Sequence, residues 1–94
     1  SRFSFGDLLA DRAGTMFAVR ATQSDSAASV MQNRITAGFV VTDFMPDGAD
    51  LPEGLSNQEF TRTYGGVGGD GYQHLIAEID ERIANCPAYL QNMD

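Results

Sequence analysis

The chain contains no lysine: its six basic residues are all arginines, Arg2, Arg12, Arg20, Arg34, Arg62 and Arg82. That absence removes Schiff-base chemistry, a lysine general base and the phosphate-binding lysine of a P-loop, because each needs an ammonium side chain. Tryptophan is also missing, and there is a single histidine, His74, and a single cysteine, Cys86. One cysteine makes no internal disulfide, and one thiol with one imidazole does not make a tetrahedral zinc site. His74 and Cys86 lie twelve residues apart on or beside one helix, about 18 Å along its axis, so they do not form a nucleophilic dyad within the chain. His74 is expected at the surface or at a helix start. Cys86 is expected as a small buried apolar side chain, with an intermolecular disulfide or covalent ligand attachment as the alternative.

An excess of positive charge is lacking too. With a net charge of −7 and an isoelectric point near 4.3, the chain repels a phosphate backbone or an anionic membrane, which argues against conventional nucleic-acid binding and favours a basic partner. No apolar run approaches the roughly 20 residues of a membrane helix, and the amino end has no charged-then-apolar signal pattern. No membrane span is therefore expected. The missing disulfide signature favours the cytosol or an organelle interior for a soluble chain, and Ser1 is compatible with a processed terminus.

What is present suits a folded domain. Hydrophobic residues make up 43% of 94 residues with three prolines, enough for one modest core, so residues 1–94 are read as a single domain. Ser4, with Asp7 three residues on, caps a helix from about Phe5 to Arg12, with Gly14 as its stop. Met16 to Thr22 alternates apolar and polar sides as a half-buried strand does, although Ala, Met and Arg also suit a helix running through it. Ser24 or Ser26 caps a short helix carrying Ala27, Val30 and Met31. Ile35 to Met45 alternates more clearly and is the better strand.

Pro46 to Gly54 has turn composition and is expected as an exposed acidic loop. Ser56 and Glu59 then make a capping box, with Leu55 and Phe60 as a staple and Gly65 ending the helix. The longest apolar stripe, Tyr72, Leu75, Ile76, Ile79 and Ile83, predicts a helix from about Gly71 to Asn85, with Glu78 and Arg82 paired at i,i+4 and Pro87 ending it. Ala88 to Met93 adds one further turn. These elements predict an α+β domain: a two- or three-stranded sheet covered by the C-terminal amphipathic helix and short capped helices.

Gly65 to Gly71 contains two motif-like patterns. Gly66, Gly68 and Gly71 resemble the dinucleotide-binding fingerprint of Rossmann folds, but a helix rather than a strand is expected before them and Asp70 would face a pyrophosphate. Gly65 to Gln73 resembles one calcium-binding nonapeptide repeat, yet such sites are built between stacked repeats and helix follows Tyr72 here. Neither calcium nor a nucleotide is expected at this segment, and no cofactor is predicted. It reads as a connection between helices. Asp43, Asp47, Asp50, Glu53 and Glu59 read as solvated turn carboxylates available for docking.

A two-stranded sheet is marginal unless covered, and Val40 and Phe44 would lie on the uncovered face of the better strand. Phe3, Phe5 and Tyr89 add apolar surface near the ends of the chain. These five residues, with Asp47 and Asp50, form the expected interface of a non-catalytic small subunit or adaptor that packs into a larger protein assembly or homo-oligomer. No catalytic and no metal-binding residues are assigned. Two other classes are weighed: an acidic inhibitor or decoy of a basic groove on a nucleic-acid enzyme, and a small ligand-binding or enzyme domain using the glycine segment.

Overall fold

Serine side chains start three of the helices. In the computed structural model, which describes residues 2–90, Ser4 Oγ accepts the Asp7 N–H at 3.1 Å and opens α1, Phe5–Thr22. Ser24 Oγ accepts the Ala27 N–H at 3.0 Å and opens α2, Asp25–Thr36. At α4, Asn57–Tyr64, the capping is reciprocal: Ser56 Oγ accepts from Glu59 N–H at 3.1 Å, and Glu59 Oε1 accepts from Ser56 N–H at 3.0 Å. Each device satisfies amide donors that a helix start leaves open. Three further helices complete the order: the single turn α3, Val41–Phe44; α5, Asp70–Ala84; and the short α6, Pro87–Leu90, while positions 91–93 of the turn expected from Ala88 lie outside the described residues.

The expected α+β sheet is not formed. The described residues are 69% helical, and among them the β-type pairing is one isolated antiparallel bridge between Phe3 and Leu55, with N–H···O distances of 2.7 and 2.8 Å. Both expected strands fail for identifiable reasons. Met16 to Thr22 continues α1, because Phe5, Leu9, Ala13, Phe17 and Ala21 recur every fourth residue and form one stripe facing inward. Gly14 does not stop that helix. Its φ is not positive, and interior glycine costs only about 1 kcal/mol relative to alanine. With that segment helical, Ile35 to Met45 has no strand to pair with. Its first residues complete α2, Gly38 turns the chain at φ +112°, and Asp43 Oδ2 accepts the Val40 N–H at 2.8 Å as α3 begins.

The core follows α1. Phe5, Leu9 and Ala13 bury against Met31 of α2 and Ile79 and Ile83 of α5, while α3 packs on α6 and α4 on α5. Leu51 plugs the 46–54 loop into the same core at 5% exposure, although Asp47, Asp50 and Glu53 remain exposed. Arginine forks tie the elements together. Arg12 donates through Nε and a terminal nitrogen to both Asp80 oxygens, at 2.7 and 2.6 Å, joining α1 to α5. Arg82 holds both Asp50 oxygens at 2.8 Å and Glu78 at 2.6 Å, joining α5 to the loop. Arg2 reaches Glu59 at 3.6 Å and donates to the Gly54 carbonyl.

The result is elongated, 46 × 21 × 21 Å with a radius of gyration of 15.4 Å, against about 12 Å for a compact domain of this length. At about 27 Å, α1 is more than half as long as the molecule.

Candidate functional site

Midway along α1 one side of the helix is left open. Ala10, Ala13, Gly14 and Phe17 form one wall of an open groove of about 500 Å³, Ile35, Phe39, Val40 and Val41 form the facing wall, and Phe44 and Met45 close it. Every lining residue is apolar or glycine. Phe44 is held in place edge-on by Phe17, centroids 5.0 Å apart at 89°, and by Phe39 at 6.2 Å and Tyr89 at 6.0 Å. The facing wall is exposed to a degree unusual for its residue types: Ile35 is 51%, Val40 59% and Val41 67% exposed.

Local sequence explains the exposure. Gly38, at positive φ after the α2 C-terminus, and the Asp43 carboxylate on the Val40 amide together fix the turn from α2 into α3, on which Val40 and Val41 stay exposed. Opposite them, α1 presents only small side chains at Ala10 and Gly14. No neighbour lies within 4 Å of where a Gly14 Cβ would stand.

At one end the groove opens into a second hollow, of about 510 Å³, that shares Ala10 and Met45 and carries Asp7, Asp47 and Glu53 on its rim. Asp47 Oδ1 accepts the Ala49 N–H at 3.0 Å, which shapes the turn and leaves its charge unpaired. Asp7, Asp47 and Glu53 form no ion pair among the described residues.

Of the seven residues expected at an interface, Val40 and Phe44 meet in this groove and Asp47 stands beside it. Tyr89 lies behind Phe44 at 8% exposure, under the Arg20 guanidinium at 5.1 Å. Its hydroxyl has no hydrogen-bond partner among the described residues, and burial raises its pKa. Phe3 and Phe5 lie at the other end of α1. Phe3 stacks on Phe60 at 4.2 Å, and Phe5 is fully buried beside Tyr64. Asp50 is engaged by Arg82, whose hydrogen bonds hold its carboxyl below the usual range. Sequence reasoning missed Ala10, Ala13, Gly14 and Phe17, whose i, i+3, i+4, i+7 spacing is the signal that would have found them.

The other chemical candidates take structural places. Gly65 ends α4 with φ +78°, donating to the Phe60 and Thr61 carbonyls, and a Cβ there would lie 2.9 Å from the Gly69 Cα. The glycine segment is thus a close backbone crossing from α4 into α5. Cys86 is 4% exposed, and burial, with a smaller contribution from Asp43, raises its pKa, so the thiol is kept protonated and weakly nucleophilic. No group of three or more potential metal ligands occurs among the described residues, and no helix there is long and apolar enough to cross a membrane. Compared with protein-family models, curated proteins and solved structures, the chain matches none.

Proposed function

We propose that this chain is a non-catalytic subunit or adaptor that docks onto another protein chain through the groove between α1 and the 35–45 segment. The observation that carries the reading is the exposed wall of Ile35, Val40 and Val41 facing the small residues of α1. Full burial of a side chain of this kind contributes about 1.5–3 kcal/mol, so covering three half-exposed ones adds several kcal/mol to an association. Most carboxylates on the α4–α5 side are paired within the chain: Asp80 with Arg12, Glu59 with Arg2, and Asp50 and Glu78 sharing Arg82. That supports apolar docking over a purely electrostatic decoy.

The test places a photo-reactive phenylalanine at position 41, with a control at exposed position 63, in the cell that encodes the chain. A defined adduct at 41 that is absent at 63 is expected. Equal labelling at both positions, with a monomeric mass by light scattering at every concentration, would sink the reading.

A further inference from the structure

Granted the docking groove, on which this step rests, we propose that its occupant is an amphipathic helix of a partner protein whose apolar stripe fills the groove and whose arginine or lysine side chains, at one end, meet Asp7, Asp47 and Glu53. Three observations converge on that chemistry. The first is that the groove walls offer no polar side chain. An extended peptide laid there would leave its own N–H and C=O groups unpaired against apolar atoms, and no strand edge is present among the described residues to receive them. A helix satisfies its backbone internally, so it enters such a trough at no hydrogen-bonding cost.

The second observation is the shape of the α1 wall. Ala10 and Gly14 are exposed and one turn apart, and space is open beyond Gly14. Small residues at this spacing let a second helix axis approach closely while its larger side chains fill the side opposite, against Val40 and Val41.

The third is charge placed asymmetrically. The apolar trough runs into the hollow carrying Asp7, Asp47 and Glu53, and the chain's own arginines are committed elsewhere. Arg2, Arg12 and Arg82 are in ion pairs, Arg20 lies over Tyr89, and Arg34 is buried. A ligand matching both parts is apolar along its length and cationic at one end.

A second copy of this chain fits poorly. It brings another net charge of −7, and its remaining arginine, Arg62, sits on α4 among exposed Asn57, Gln58, Thr61 and Thr63 with no apolar stripe beside it. A small apolar molecule fits poorly as well, because the groove lacks the convergent polar groups that orient one.

The experiment selects binders from a phage-displayed library of 16-residue helical peptides on the full chain. The best peptides are then titrated by fluorescence anisotropy against wild type, Val41→Glu and the triple variant Asp7→Asn, Asp47→Asn, Glu53→Gln. Val41 is 67% exposed, so its variant is expected to keep the wild-type melting temperature. Selected sequences should show an i, i+3, i+4, i+7 apolar stripe with Arg or Lys clustered at one end. Binding should be lost on Val41→Glu, and should fall about tenfold, with most of its salt dependence, on the triple variant. Groove-dependent peptides with no basic end and unchanged affinity for the triple variant would overturn the charge assignment and leave the docking groove standing. If no selected peptide loses binding on Val41→Glu, both readings fall. A concentration-dependent dimer abolished by Val41→Glu would make a second copy the occupant and overturn the proposal.

Discussion

The two ends of α1 carry the same kind of side chain and end up in opposite states. At its N-terminal end Phe3, Phe5, Phe60, Tyr64 and Tyr72 interlock with centroid separations of 4.2 to 6.2 Å, closed over by α4 and α5. At the other end Phe17, Phe39 and Phe44 make comparable ring contacts, yet the groove beside them stays open. The aromatic content of a region therefore does not decide whether it is core; the length of the covering elements does. The closed end has two helices of 8 and 15 residues beyond α1, whereas the open region has the tip of α2 and the four-residue turns α3 and α6.

Substitutions sharpen this contrast, and the largest effect is expected at the rings. Phe5→Ala should cost about 3–5 kcal/mol of unfolding free energy by denaturant titration, and Phe17→Ala, half-buried, about 1–2 kcal/mol. Equal losses at the two sites would erase the distinction between the ends. Next comes Gly65→Ala. It forces a left-handed residue and a Cβ against the Gly69 backbone, so a loss of about 1–2 kcal/mol is expected in thermal unfolding, and an unchanged melting temperature would contradict the tight α4–α5 crossing.

Gly14→Ala works in the other direction. Interior helix, no positive φ and open space predict a gain of about 0.5–1 kcal/mol, together with weaker docking as the added methyl enters the groove. A gain in stability with unaltered binding of the selected peptides would show that the proposed partner helix does not approach α1 closely.

The smallest effect is in acid. Asp50, hydrogen-bonded by Arg82, and Glu59, hydrogen-bonded by Ser56, both have carboxyl pKa values lowered from the ordinary 3.8 and 4.5. The unfolded chain therefore takes up protons first as pH falls. The stability these groups contribute is fully present above their ordinary values and is lost as pH drops through the lower folded ones. Asp50→Asn with Glu59→Gln should flatten the dependence of melting temperature on pH below about 4.5. An identical acid limb in wild type and variant would mean that these pairs do not couple to folding.

Much of the local punctuation was legible in the sequence. Ser4, Ser24 and Ser56 cap helices, Gly65 ends one, and Glu78 pairs with Arg82, because each device acts within four residues. The sheet was misread because alternation in Met16 to Thr22 coexists with a period-four stripe. Only the longer view, from Phe5 through Ala21, shows that the stripe continues across Gly14. Losing that strand removed the partner on which the Ile35 to Met45 reading depended. At the candidate site, Val40 and Phe44 were singled out as surplus apolar surface of an imagined strand, and they lie in the groove for a different reason, the turn set by Gly38 and Asp43. The α1 wall was missed because a helix stop at Gly14 and a strand from Met16 divide Ala10, Ala13, Gly14 and Phe17 between two elements, and their spacing shows only in one continuous helix.

The buried Cys86 gives this fold a built-in clock. It is the sole thiol in the chain and is 4% exposed at the step from α5 into α6, its Sγ donating to the Arg82 carbonyl at 3.6 Å. An alkylating reagent reaches it only while that junction is lifted, so at low reagent concentration the modification rate counts openings of one local hinge. Comparison with the global unfolding free energy then tells whether the α3–α6 end breathes on its own or only when the entire chain comes apart.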